Sequence, residues 1–340
     1  MKNKLLITSA LVGMVASGSA FAETKITGGM TLGYKAYSGN TALASQDGFG
    51  RETQINVANT GTLSNGLGYA AGFSIEYDGQ STANTAETSV SNENVYFDII
   101  SGNTTVSFGL DHMPNTSQSA TPRVAEHADT TFSASSMNSY DYHAGANIKE
   151  SFAVGVIQKA PMGTFAVSYV PSIGDQGGSD DASGVATGAD NSAFNIVYAG
   201  NAGINGLNVK AAYQKENNDP SEQDGKVKQF GIGYNFGTLA AGVTYNAIDE
   251  AQIGTNTKSY EFGATAALSK DVSAGILYIK TDGNDSGVAW AEEEVMTILQ
   301  LGYNMGPATV SISAGTLENA NGSRTVNDTD VAHVRLSTAF

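Results

Sequence analysis

Histidine and carboxylate gather in one stretch of the chain. His112, His127 and His143 are three of its four histidines, and Asp111, Glu126, Asp129 and Asp141 stand among them, with Arg123 close by. Such a mixture could ligate a metal or form a general acid–base pair. The intervals follow no recognised ligand pattern, however, and free loop side chains account for the same residues. The chain has no cysteine, which removes thiolate ligands, nucleophilic thiols and any disulfide framework. Acidic runs from Asp175 to Asp181, at Glu292-Glu293-Glu294 and at Asp282-Gly283-Asn284-Asp285 offer the oxygen ligands that calcium prefers, although the last lacks the rest of a calcium loop. The expectation is a protein that needs no cofactor and performs no catalysis, with loop-bound calcium as a side reading.

What must position these residues is a set of strands. From Val331 to Phe340, one parity carries Ala332, Val334, Leu336, Thr338 and Phe340 and the other Val331, His333, Arg335, Ser337 and Ala339. One face suits lipid and the other water. The same rhythm recurs near 24–37, 49–60, 66–78, 92–101, 104–111, 150–159, 163–170, 192–199, 206–216, 226–235, 238–247, 257–268, 271–281, 294–303, 307–316 and 330–340. Most of these segments have roughly the nine to eleven residues that a tilted strand needs to cross a bilayer. The pattern predicts an all-β fold: a 16-stranded antiparallel transmembrane β-barrel.

The connections alternate between short and long. Ser101-Gly102-Asn103, Ala160-Pro161-Met162, Ser269-Lys270 and Asn304-Met305-Gly306 are turns. The stretches 38–48, 79–91, 112–149, 171–191, 217–225, 248–256, 282–293 and 317–329 are long and polar. Bacterial barrels show this asymmetry, with short periplasmic turns and longer extracellular loops. Phe230 to Asn246 and Leu299 to Gly315 share a strand, a Tyr-Asn-x-Gly turn and a return strand, which is hairpin grammar rather than domain duplication. All six prolines fall in loops, turns or strand ends, as loss of a ladder donor requires. Tyr34, Tyr77, Tyr169, Tyr213, Tyr245 and Tyr278 fall near the outer strand ends on the apolar parity, the height at which aromatic girdles form.

Residues 1–22 carry Lys2 and Lys4, an apolar run from Leu5 to Ala16 and then Ala20-Phe21-Ala22. They read as a cleaved signal peptide, because about twelve apolar residues are too few for a spanning helix. The remainder, 23–340, reads as a single barrel destined for the outer membrane of a Gram-negative cell. Removing 1–22 leaves 15 basic against 33 acidic residues, a net charge of −18. Nucleic acid is a poor partner for such a surface.

Sixteen strands enclose more space than side chains fill, so an aqueous lumen is expected. Parity turns Lys25, Lys35, Lys210, His333 and Arg335 inward, opposed by Glu52, Glu76, Asp98, Asp111 and Glu261, on a wall otherwise mostly Gly, Ser, Thr, Asn and Gln. With the wall nearly balanced and the loops acidic, the channel should prefer cations weakly.

A signal peptide, sixteen strands, a long third loop after Val106-Ser107-Phe108-Gly109-Leu110-Asp111 and a terminal phenylalanine together resemble the trimeric general diffusion porins. The likeness covers the whole chain beyond the signal, although the Pro-Glu-Phe-Gly-Gly loop motif of enteric members is absent. The resemblance implies that the third loop, about 112–149, folds into the barrel and forms the constriction. Glu126 and Asp129 would be its carboxylates, with Arg123 beside them. It also implies a homotrimer, read at Phe340 by the outer-membrane barrel assembly machinery. Further expected partners are small hydrophilic solutes, outer-membrane lipid and lipopolysaccharide. Two alternatives remain: a substrate-specific porin for sugar, phosphate or dicarboxylate, and a structural or adhesive barrel. An outer-membrane enzyme would need a Ser/His/acid set on the outer wall, and no histidine has a lipid-facing strand position.

Overall fold

The computed structural model describes residues 22–39, 47–79, 91–110, 112–113, 119–124, 151–171, 192–217, 225–250, 255–285, 288–289, 291–319 and 328–340. Among them there is no helix. The strands are β1 (Glu23–Ser38), β2 (Gly48–Thr62), β3 (Gly68–Gly79), β4 (Ser91–Ser101), β5 (Thr104–Leu110), β6 (Phe152–Ala160), β7 (Gly163–Val170), β8 (Ser192–Gly200) and β9 (Leu207–Asn217). They continue as β10 (Lys226–Asn235), β11 (Leu239–Glu250), β12 (Thr255–Ala267), β13 (Val272–Asp285), β14 (Val288–Ala289), β15 (Glu294–Asn304), β16 (Ala308–Glu318) and β17 (Thr329–Ala339).

Consecutive strands pair antiparallel, and β1 pairs with both β2 and β17, so the sheet closes on itself. The two-residue β14 only extends the long-loop end of β13, which pairs directly with β15. Sixteen strands therefore cross. Closure leaves no edge strand, as a sheet in hydrocarbon requires, with one register break between β3 and β4 at Gly72/Ser74.

Burial alternates along each strand. On β10, Phe230, Ile232 and Tyr234 point outward while Gln229, Gly231 and Gly233 are covered. On β12, Tyr260 and Phe262 point outward while Ser259, Glu261 and Gly263 are covered. The outer surface carries exposed Leu32, Ile75, Val156, Ile196, Ile232, Ile276, Leu301 and Val334. In water such a surface would aggregate; in a bilayer it is the stabilising face.

The seam is closed by the last residue. Gly28 and Phe340 exchange backbone hydrogen bonds, Gly28 N donating to Phe340 O at 2.8 Å and Phe340 N to Gly28 O at 2.9 Å. The Phe340 ring lies over Gly28, where an added Cβ would come within 2.6 Å of Phe340 Cζ. The two Tyr-Asn-x-Gly turns share one construction. Asn235 Oδ1 accepts from Gly237 N and Asn304 Oδ1 from Gly306 N, each at 2.8 Å. Both glycines have positive φ, +98° and +89°, which a side chain would resist.

The inner wall departs from the expected polar lining on one side. Leu277, Ile279, Met296, Ile298, Leu317 and Val331 point inward from β13, β15, β16 and β17 and form a buried cluster with Tyr37. The sequences Gly275-Ile276-Leu277-Tyr278-Ile279 and Val295-Met296-Thr297-Ile298-Leu299 are apolar on both parities, as on strands buried on both faces.

Candidate functional site

The bore is entered by the chain itself. After β5, His112 stacks on Tyr96 of β4 with ring centroids 3.9 Å apart, and its Nε2 lies 3.3 Å from Asp98 Oδ2. Met113 follows over Gly155 of β6, where no side chain larger than hydrogen would leave it room. Six residues later the chain is on a different wall. From Met113 to Ser119 it can reach at most about 21 Å, and at Ser119 it lies against β11 and β12.

There Ser119 to Val124 runs along the inside of the barrel on a path of glycines. An added Cβ would meet Ala120 Cβ at 2.8 Å from Gly231 and Ala120 O at 2.7 Å from Gly242. At Gly263 it would overlap the Thr121 methyl, and at Gly275 and Gly302 it would approach Val124 to 2.8 and 2.7 Å. Gly233, Gly242 and Gly263 are register neighbours on β10, β11 and β12. Removing side chains from one inner band gives a backbone room to lie against the wall. Ala120 and Thr121 are accordingly buried.

Hydrogen bonds fix the segment in this channel. Thr244 Oγ1 accepts from Ala120 N at 3.0 Å and lies 3.0 and 3.1 Å from the hydroxyls of Thr121 and Ser119. Glu261 Oε1 accepts from Arg123 Nη2 at 2.8 Å and from Ser119 Oγ at 3.1 Å. Val124 N donates to Gln300 Oε1 at 3.1 Å. The Arg123 and Glu261 side chains are 6% and 1% exposed, so the charge of each is neutralised by the other. A buried pair of this kind fixes one arrangement, since loss of either partner strands a charge out of water.

Arg123 thus sits beside the wall, facing a carboxylate that the sequence placed on the inner parity. Glu126, Asp129 and Asp111 lie outside the described residues, as do His127 and His143. Lys35, Lys210, Arg335, Glu52 and Glu76 all fall on the inward phase of their strands. Lys35 and Arg335 flank Gly33 and His333 across the β1–β17 seam. Arg335 Nη2 donates to Thr31 Oγ1 at 3.3 Å. Phe340 occupies the seam described above. Sequence reasoning missed Thr244, Gln300 and Ser119 as anchors; a run of inward glycines on successive strands was the available signal. Among the described residues no three histidine or acidic side chains converge as metal ligands do. The run Asp175 to Asp181 lies outside them.

A closed barrel of sixteen crossing strands, apolar outside and largely polar inside, with a chain segment bolted to its inner wall, is a membrane channel whose bore is narrowed from within. A family model described as Gram-negative porin matches residues 8–337, and the chain belongs to that family. No curated protein matches the chain in sequence. Among solved structures, an engineered variant of the Rhodopseudomonas blastica porin is similar at 16% identity. The match covers 94% of this chain and 100% of that one, with a TM-score of 0.61. A loop-deletion variant of OmpT, an outer-membrane protein of Vibrio cholerae, is similar at 13% identity, covering 94% and 99%, with a TM-score of 0.63. At these identities the likeness is one of fold. Family and fold together make the protein an outer-membrane diffusion channel.

Proposed function

We propose that this channel passes small hydrophilic solutes and ions passively, with a weak preference for cations, without a cofactor and without catalysis. The observation that carries the preference is the Arg123–Glu261 pair. It neutralises the loop cation Arg123 together with the wall carboxylate Glu261, so neither adds to the field at the narrowing. Glu126, Asp129 and Asp141 then stand against Lys149 in the sequence 112–149, and Glu126 and Asp129 are the constriction carboxylates. The wall charges Lys35, Lys210 and Arg335 oppose Glu52 and Glu76, which leaves the field weak. The protein works as a homotrimer in outer-membrane lipid and lipopolysaccharide, delivered by the barrel assembly machinery, for which Phe340 is the address.

The test is reconstitution of the purified protein in planar bilayers. Conductance steps in threes, linear in salt at high ionic strength and indifferent to sugars, with a reversal potential favouring potassium over chloride, are expected. Saturable block by one solute would replace this reading with a substrate-specific channel, and a sealed bilayer would leave only a structural barrel.

A further inference from the structure

The inward charges nearly cancel in sum, but they are sorted along the axis of the bore. Each crossing strand has a short-turn end and a long-loop end, so distance from the turn measures height. Near the short turns the inward phase carries lysine. Lys25 lies two residues inside the start of β1, Lys159 one residue before the end of β6, and Lys210 three residues inside the start of β9. Their strand neighbours fix the phase: Ile26 and Val156 are exposed on the outside, and Ala212 is buried on the inside. Lys25 and Lys159 are exposed themselves. Among the described residues no hydrogen bond or ion pair engages the ammonium of Lys25 or Lys210. Two carboxylates share this end: Asp98, with His112 at 3.3 Å, and Glu23 at the very rim. Lys270 and Asp271 in the turn after β12 pair with each other at 3.4 Å.

Toward the long-loop ends the majority reverses. Glu52, Glu76, Glu216 and Glu294 occupy the inward phase of β2, β3, β9 and β15, against Lys35 and His333 on β1 and β17. Glu216 and Glu294 are buried, so Glu52 and Glu76 are the carboxylates that face the water. Glu76 stands eight residues above the start of β3, and Lys159 one residue above the end of β6. At about 3.3 Å of rise per residue and a tilt of about 40°, that difference is roughly 18 Å of height. Between the two zones lie Arg335 and the mutually neutralised Arg123 and Glu261. Lys210 pairs with Gly231, the glycine over which Ala120 rests, so the upper edge of the lysine zone meets the docked segment.

We infer that the bore is a two-zone electrostatic filter that rectifies ionic current. Lys25, Lys159 and Lys210 draw anions into its short-turn half, and Glu52 and Glu76 draw cations into its long-loop half. The inference rests on the channel reading proposed above and adds where along the bore each sign of ion is favoured. With the long-loop compartment positive, cations enter through the carboxylate zone and anions through the lysine zone. Both accumulate, and the bore conducts well. With the sign reversed, both are drawn out through the zones that favour them, and the bore is depleted. The Debye length is about 10 Å at 0.1 M salt and about 3 Å at 1 M. At the lower concentration each zone therefore controls its own half without cancelling the other, and at the higher one neither reaches the axis.

The experiment records current–voltage curves of the full protein in planar bilayers of uncharged lipid, at about 0.1 M and about 1 M potassium chloride. Orientation is read from S64C, in the exposed turn between β2 and β3 of a chain without cysteine. With biotin on that thiol, streptavidin in one compartment lowers the current of channels whose short turns face it. At 0.1 M and about 100 mV the current should be about twofold larger with the long-loop side positive, and at 1 M the asymmetry should vanish. K25Q/K159Q/K210Q should remove the asymmetry and raise the potassium-to-chloride permeability ratio about twofold. K25R/K159R/K210R should keep both parent values, and E52Q/E76Q should lower the asymmetry from the other end. K25Q/K159Q changes only exposed side chains and should lose more than half of the asymmetry, so the test stands even where the glutamine triple fails to fold. A parent with symmetric curves, an asymmetry of the opposite sign, or one that survives the glutamine substitutions overturns the inference and leaves the channel reading intact. A bilayer that the parent leaves sealed overturns both.

Discussion

Glu261 is a single carboxylate that holds a loop 138 residues away in sequence. Its Oε1 serves both Arg123 and Ser119, while Thr244 gathers three consecutive loop residues around one hydroxyl. Replacing Glu261 by Gln keeps the shape and removes the charge that Arg123 needs. The cost, about 3 kcal/mol for a stranded buried partner, falls on the docking of Ser119 to Val124 and leaves the ladder alone. E261Q should therefore show noisier single-channel currents and closure at lower voltage, with a heat-denaturation temperature close to that of the parent. G263V should reach the same phenotype by a different route, since its Cβ occupies the place of the Thr121 methyl. Traces from both variants indistinguishable from the parent would mean that this segment does not control the bore. Much of the site was visible at this scale: Arg123 sits in the long loop and Glu261 on the inner parity. Their pairing was not, because it depends on which wall the loop reaches, a tertiary choice that no local pattern encodes.

The elements were more legible than their contacts. Alternation located all sixteen crossing strands to within a few residues, because a membrane strand must put lipid-compatible and water-compatible side chains on opposite faces. The hairpin turns were legible for a similar reason, the Asn-x-Gly sequence being one of few that close a tight turn. β13 and β15 concealed their inward apolar residues, since a run apolar on both parities carries no period to read. The glycines had the same ambiguity, each being a turn, a bulge or a close approach until the register lines up Gly233, Gly242 and Gly263. At the seam the reading is sharper and testable. A Cβ on Gly28 would meet the backbone carbonyl of Gln54 at 2.6 Å as well as the Phe340 ring, whereas one on Gly29 has Thr338 O as its nearest neighbour at 3.4 Å. Backbone in a closed ladder cannot step aside. G28L should fold poorly, with a reduced fraction of compact, heat-modifiable barrel on an unboiled gel. G29A should yield nearly as much as the parent. Equal yields for the two variants would remove Phe340 packing from the closure of the barrel.

At the scale of the whole molecule, charge is the property that sequence states most directly and structure redistributes. The net charge of −16 is not spread evenly. Carboxylates populate the long connections at one end of the barrel, the lysines of β9, β10 and β12 gather on the outer wall, and the loop arginine is cancelled inside. The carboxylates that the sequence concentrates in the long connections act at long range, so their effect depends on screening. The Debye length is about 3 Å at 1 M salt and about 30 Å at 0.01 M. At high salt the field of the mouth dies before reaching the entrance axis, and selectivity reports the bore alone. At low salt the field extends across the mouth and concentrates cations there. The ratio of potassium to chloride permeability should therefore rise several-fold as the bathing salt is lowered from 1 M to 0.01 M, and conductance should fall less than in proportion to concentration. Deleting 175–181, which removes Asp175, Asp180 and Asp181 from the connection between β7 and β8, should flatten that rise while leaving the 1 M ratio where it was. A ratio independent of salt would locate selectivity in the bore and strip the acidic loops of any part in it.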